Sequence, residues 1–290
     1  MDVGHGIHGV HGIHRRATGR RQVLRSIGEA GFVLAVIGLA AWPLTVQKPT
    51  VQNIREELLR ELRPIVLANC TMQRFGSAND GGYLMCGNLL GNVRSAYSYG
   101  IGPADDWGCE VSQRQEVPLH QYDCFDPGRP SCPGVHQVFH DECIGPTAAT
   151  IDKRAFDSLT SQIRRNGDAG KTLVVKIDVE GAELTSLMAT SDRVLERIDQ
   201  LAMELHGVNE GYLDLVRKLK RTFYLVHLHY NNQACSNRYR PLPAWAYQVL
   251  FVNKRIGVPD PSRPVATLPH PLDAPDYAIG GDCQTPEAIE

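Results

Sequence analysis

The sequence predicts an α/β fold: a doubly wound, mostly parallel seven-stranded sheet with one antiparallel strand near the C-terminus. Three observations carry this expectation. From residue 95 onward, short apolar runs of strand length alternate with helical patterns. One of the runs, TLVVKIDV at 172–179, is rich in β-branched residues and lacks polar alternation, as a strand buried on both faces requires. The last two runs, 223–230 and 246–253, are joined by a loop without helical periodicity, so one of them runs antiparallel.

Composition sets the frame for these elements. The chain has 290 residues, 42% of them hydrophobic and 21% charged, with a formal net charge of −2. That supports one large core or two small ones and excludes a disordered or collagen-like chain. The near-neutral charge argues against a dedicated nucleic-acid binder, so no nucleic-acid partner is expected. Eight cysteines are too few and too scattered for a small disulfide scaffold. None forms a CxxC pair, which argues against structural zinc, and no metal ligands are assigned.

Taken in order, residues 1–29 form a basic His/Gly-rich tail. His5, His8, His11 and His14 recur among glycines, a pattern that reads as metal capture or, more simply, as a solvated tail. Residues 30–47 hold no charge, and 18 residues at ~1.5 Å each span roughly the ~30 Å of a bilayer core. Five arginines precede this segment and Lys48 follows it. The expected topology is therefore a single-pass signal anchor with a cytoplasmic amino end and a luminal (secretory pathway or Golgi) or extracellular C-terminal domain. A cleaved signal peptide, with small residues around Ala40 and Ala41, and a buried core helix are the alternatives. Beyond the membrane the cysteines can pair, Cys124 with Cys132 being one candidate, and Asn69-Cys70-Thr71 becomes an available glycosylation sequon.

Residues 48–69 are a linker whose helical pattern, 50–68, places Ile54, Leu58, Leu59 and Leu62 on one side. The domain proper is expected over 70–256. Its strands fall at 95–101, 120–125, 135–140, 172–179, 201–206, 223–230 and 246–253, and its helices at 106–116, 155–165, 182–197 and 211–221. Residues 257–290, with seven prolines, read as an irregular tail.

In such a sheet, ligands bind beyond the carboxyl ends of the strands. The first strand ends in Tyr99-Gly100-Ile101-Gly102, a tight turn that a ligand can approach closely. Asp126 follows the second strand, about 24 residues further on, where a carboxylate can hold both ribose hydroxyls. The third ends in Asp141-Glu142, a potential partner for a base amine or a solvated turn. The fourth ends in Asp178, Glu180 and Glu183, three carboxylates whose repulsion calls for a shared cation, donor or proton, unless Glu180 and Glu183 simply complement a helix amino end. Glu204 and His206 close the fifth strand, and His206 is either a general base or a structural histidine.

The stretch Lys176–Leu184, KIDVEGAEL, resembles the signature of FkbM-type and related methyltransferase-like families, class I enzymes that use S-adenosylmethionine. The likeness extends through Asn79-Asp80-Gly81-Gly82-Tyr83, SYGIG with the following DDW, CFDP and MELH, over roughly residues 70–254. It implies a Rossmann-like domain in which Tyr99, Gly100 and Gly102 line the methionine part of the cofactor. It implies further that Asp126 holds the ribose and that Asp178 faces the methyl group or the incoming nucleophile. Such families often carry an acidic residue where Ser98 stands, so the cofactor ammonium needs another partner: Asp105, Asp106 or Asp178. The expected activity is O-methylation of a small-molecule or glycan-like acceptor, with His206 or a carboxylate of Asp178, Glu180 or Glu183 as the base. A type II membrane glycosyltransferase using a sugar nucleotide and a divalent metal at Asp178 and Glu180, and a non-catalytic domain of the same fold, are the alternatives.

Overall fold

The computed structural model describes residues 50–126 and 128–283. The basic tail and the apolar segment 30–47 lie outside them, and among the described residues no helix is long and apolar enough to cross a membrane. The chain opens with α1 (Val51–Glu61), capped by Thr50, whose side chain accepts from the Asn53 backbone. The helix stops well short of residue 68 because Pro64 disfavours helical backbone in the residue before it. A hairpin of β1 (Met72–Phe75) and β2 (Tyr83–Cys86) follows, then β3 (Ser95–Tyr99), α2 (Asp106–Gln115), β4 (Leu119–Asp123) and β5 (Gln137–Asp141). A small second sheet is built from β6 (Cys143–Gly145), β7 (Ala149–Ile151) and β8 (Arg154–Ser158). The chain continues through α3 (Leu159–Arg165), β9 (Leu173–Ile177), α4 (Ala182–Ala189), α5 (Asp192–Leu195) and β10 (Ile198–His206). It closes with α6 (Glu210–Thr222), β11 (Phe223–Tyr230) and β12 (Ala246–Asn253).

The main sheet has seven strands in the order β11-β12-β10-β9-β3-β4-β5. Only β12 runs against its neighbours; the pairings from β10 through β5 are parallel. The fold is thus α/β with a mostly parallel sheet. The order of winding reverses between β3 and β9: the chain moves outward from β3 through β4 to β5, then returns to β9 on the other side. Alternate residues feed the two faces. Tyr97, Val175, Leu201 and Phe251 pack against α1, α3, α4, α5 and α6. Ala96, Val174, Ala202 and Leu250 pack against α2 and the β1–β2 hairpin. One face is therefore helical, whereas the other is covered by a single helix and a hairpin.

Several elements differ from the sequence expectation for identifiable reasons. The first part of the segment read as a helix over 155–165 is the strand β8, and the helix starts only where Ser158 accepts from the Ser161 amide. The helix expected over 182–197 breaks at Thr190. The Lys218 ammonium collects the carbonyls of Leu187, Met188 and Thr190 there, and Ser191 starts α5. Residues 257–283 hold no helix or long strand, yet they form a strap. His227 and His229 on β11 pair with Asp273 and Asp282, and Gln248 donates to the buried Asp276. The Asp80 amide and the Asn79 side chain, in the hairpin turn, donate to the carbonyls of Asp276 and Pro275.

All eight cysteines pair: Cys70–Cys86, Cys109–Cys132, Cys124–Cys143 and Cys235–Cys283. Cys124 and Cys132 each take another partner, because Cys132 is buried against α2 while Cys124 faces the start of β6. The sequon residue Asn69 is committed as well. Its side chain donates to the Ile256 carbonyl and accepts from the Val258 amide, bonds that a glycan would forfeit.

Candidate functional site

At the reversal point, Tyr99 ends β3 beside Ile177 of β9, and the Asp178 amide donates to the Tyr99 carbonyl at 3.2 Å. The turn that follows β3 is tight. Gly100 has φ +69°, and a Cβ there would stand 1.6 Å from the Asp178 carbonyl oxygen, so no other residue fits. Gly102 has φ +55°, but a Cβ there would meet nothing within 4 Å. Above this turn lies a cleft of about 690 Å³, within the range of small-molecule and cofactor sites. Its walls come from the hairpin turn at Ser77–Gly81, the start of α2, the ends of β4 and β9, and the small sheet through Ile144 and Phe156.

The cleft is strongly acidic: eight carboxylates and one ammonium, that of Lys176, line it among the described residues. Three of the eight are spent internally. Asp123 accepts from the amides of Gly102, Phe125 and Asp126; these bonds outweigh burial and hold its carboxyl below the usual range. Asp105 caps α2 and accepts from Ser98 Oγ, Gln121 and the Gly108 amide. Glu142 pairs with Arg165. A carboxylate therefore does stand at Ser98, supplied by Asp105, but its donors are all internal. Asp106 is exposed on the first turn of α2.

The cofactor residues expected from sequence divide. Tyr99, Gly100, Gly102 and Asp126 all line the cleft. Asp126 is half-buried and accepts from the Gly128 amide through Oδ1 alone. Asp141 does not reach the cleft: β5 runs one residue further than expected, so Asp141 is its exposed last residue and Glu142 takes the inward place. Two buried cleft-lining groups, the hydroxyl of the expected Tyr99 and the indole N–H of Trp107, to which sequence analysis gives no role, have no partner among the described residues. Orphaned polar atoms beside an open glycine turn and a half-used carboxylate at a strand end suit a nucleoside with a polar amino-acid tail.

Around the end of β9 the chain gathers a second group. Tyr83, from the hairpin, donates to Asp178 Oδ2 at 2.9 Å, and Lys176 Nζ lies 3.5 Å from the same oxygen while donating to the Gly100 carbonyl. His206 Nε2 is 3.7 Å from Asp178 Oδ1, 3.6 Å from Glu180 and 3.8 Å from Glu204 Oε2. Its Nδ1 meets Glu183 Oε1 at 3.3 Å. Glu183 is fully buried and lies away from the cleft. It accepts from Tyr212 and from the amides of Gly181 and His206. Burial pushes its carboxyl up, but the hydrogen bond and charge of the His206 imidazole outweigh that and hold it low. Glu183 is thus a clamp on His206, not a group that meets a substrate. Glu180 is its opposite: its side chain is 84% exposed, it has φ +52°, and it sits on the cleft rim.

Crowded negative charge governs protonation here. Burial, then the charge of Asp178, push Glu204 up to about 8, although Asn231 donates to it. Burial pulls His206 down, but Glu183, Glu204 and Asp178 outweigh it and raise it to about 9. At neutral pH the imidazole therefore holds its proton and does not serve as a free base. Behind His206 opens another cavity of about 420 Å³, between α1 and the loop after β10, with Tyr239, Trp245 and Arg55 on its walls. Trp245 is 39% exposed, with its ring 6.1 Å from that of His206. His206 thus stands between two cavities.

The chain matches no protein-family model, and no curated protein matches it. The class of the site rests on its geometry: a ligand cleft at the winding reversal of a parallel α/β sheet, lined by carboxylates.

Proposed function

We propose that the chain is an S-adenosylmethionine-dependent methyltransferase acting on a hydroxyl oxygen of a small-molecule or glycan-like acceptor. Its domain would stand on the oxidising side of a membrane, held there through residues 30–47. Four disulfides suit that compartment. The single observation that carries the reading is the acidic cleft at the reversal point. A ligand with a sulfonium and an ammonium is drawn to such a field, whereas the phosphates of a sugar nucleotide are repelled by it.

When bound, the cofactor supplies an already activated methyl group. Asp126 would hold the ribose hydroxyls through its less committed oxygen, and the Gly100–Gly102 turn would lie along the methionine part. Asp106 and Asp178 are the carboxylates left to meet its ammonium, since Asp105 is saturated. The acceptor would enter by the second cavity, where Trp245 and Tyr239 offer flat faces and Arg55 a donor. What remains for the chain is alignment and proton removal. Tyr83 and Lys176 fix Asp178, Glu183 fixes His206, and Glu180, whose carboxylate has no hydrogen bond among the described residues, takes the proton.

The test is thermal unfolding of the full-length protein with and without S-adenosylmethionine. At about a hundred times the dissociation constant, stabilisation of ~2.7 kcal/mol raises the midpoint by roughly 5–10 °C. The shift disappears in Asp126→Ala. A metal-dependent shift with a sugar nucleotide instead would favour the glycosyltransferase, and no shift with either would leave a binding domain.

A further inference from the structure

Three atoms at the ends of β9 and β10 share one property. Asp178, Glu204 and His206 each offer one ligand atom within 4.8 Å of the other two; His206 Nε2 lies 3.7 Å from Asp178 Oδ1 and 3.8 Å from Glu204 Oε2, and none of these three atoms makes a hydrogen bond among the described residues. In each group the companion atom is fixed by the protein: Asp178 Oδ2 by Tyr83, Glu204 Oε1 by Asn231 at 2.7 Å, and His206 Nδ1 by Glu183. Glu204 is 4% exposed; Asn231 meets its Oε1, and its Oε2 makes no hydrogen bond among the described residues. A nearly buried carboxylate beside a second one is costly to leave charged unless a proton or a cation is shared among them.

We infer that Asp178, Glu204 and His206 form a binding site for one divalent transition-metal ion, on the floor between the acidic cleft and the aromatic cavity. Bonds of ~2.0–2.2 Å to such an ion place ligand atoms about 3.4–3.6 Å apart. The observed 3.7 and 3.8 Å from His206 Nε2 need only a small inward shift. The imidazole bound to a buried carboxylate through its other nitrogen is the outer-shell arrangement that sets the tautomer of a metal-ligating histidine. Two carboxylate oxygens and one imidazole nitrogen suit manganese or zinc better than magnesium or calcium, which prefer all-oxygen sites. Three protein ligands leave positions open for a substrate; of the three, Asp178 lines the cleft and His206 lines the aromatic cavity. There the ion would hold the acceptor hydroxyl, a role that rests on the methyltransferase reading; the site itself does not. Here sequence analysis places a divalent ion only in the glycosyltransferase alternative, at Asp178 and Glu180, because nothing local shows Glu204 and His206 approaching Asp178.

The experiment is calorimetric titration of the full-length, chelator-treated protein with manganese chloride and separately with zinc chloride. S-adenosylmethionine is titrated into the same metal-free protein as an independent arm. One ion per chain binds the wild type, and affinity falls at least tenfold in both Glu204→Gln and His206→Gln. Asp214→Asn, an exposed carboxylate on α6 that lines neither cavity, binds as the wild type does. The metal-free Glu204→Gln protein unfolds at or above the wild-type temperature, which separates lost ligation from lost folding. Absence of binding by both ions, or equal binding by Glu204→Gln, overturns the proposal. Metal binding without S-adenosylmethionine binding sustains the site and removes the methyltransferase reading; the reverse result removes the site alone.

Discussion

Replacing Gly100 by alanine probes the reversal point most directly, with Gly102→Ala as its internal control. Both residues have positive φ, +69° and +55°, and forcing alanine there costs about 1–2 kcal/mol at each. Only at Gly100 does the new methyl group collide with backbone, standing 1.6 Å from the Asp178 carbonyl oxygen. That oxygen cannot swing aside, because Asp178 is joined to β9 and its amide bonds to the Tyr99 carbonyl. Relief requires parting β3 from β9, an overpacking cost of roughly 1–3 kcal/mol in addition. Gly100→Ala is therefore expected to lose about 2–5 kcal/mol and Gly102→Ala about 1–2 kcal/mol. In a domain of this size that corresponds to midpoint drops of roughly 4–20 °C and 2–8 °C. Guanidinium unfolding of the oxidised proteins measures both. Gly102→Ala, whose methyl group enters the cleft, should in addition lose S-adenosylmethionine binding. If Gly100→Ala is no less stable than Gly102→Ala, the close strand contact is not what holds the turn.

Further outcomes follow from the same geometry. Glu180→Gln should lower kcat about a hundredfold or more in a methyl-transfer assay, as removal of a proton acceptor does. Glu180→Gly should stabilise the fold by roughly 0.5–1 kcal/mol, because it relieves φ +52°. Burial first, then His120, depress His140 to about 4, below its unfolded ~6.5. Over that window the unfolded chain binds more protons, so stability falls as pH drops from 6.5 towards 4. Discounted for partial exposure, the loss is on the order of 1–2 kcal/mol. Comparison of wild type with His140→Gln at pH 7 and pH 4.5 isolates it, and parallel curves would refute it. Removing Cys235–Cys283, which spans 48 residues, should cost about 4 kcal/mol, against about 3 for the 16-residue Cys70–Cys86 span. Denaturant midpoints in the reverse order would count against the loop-closure account.

The main sheet is legible in the sequence because its strands run to between five and nine residues with turn residues between them. β11 and β12 fall on the expected residues. The hairpin β1–β2 and the small sheet β6–β8 are not legible. All their strands but β8 have three or four residues, shorter than any strand of the main sheet, β8 lies under the helical pattern expected over 155–165, and disulfides brace both units. At the site, Asp178 and His206 were visible as strand ends. Glu183 is not separable from Glu180 by sequence, since both follow β9 within six residues. One turns inward as a buried clamp, and the other stands in solvent at positive φ. Tyr83 and Asn231 come from opposite ends of the domain, and nothing local announces that they meet Asp178 and Glu204.

The placement of the disulfides has a practical consequence for anyone handling the protein. Cys124 and Cys143 are themselves part of the cleft wall. Cys70–Cys86 closes the hairpin whose turn forms another wall, and Cys109–Cys132 ties α2, whose start forms a third. Binding of the proposed cofactor is thus expected to depend on thiol oxidation. Material made in a reducing bacterial cytosol, or stored with dithiothreitol, would present loosened walls on a sheet still held by its own core. A blank binding curve from such a preparation would report the buffer, so each titration needs a count of free thiols beside it.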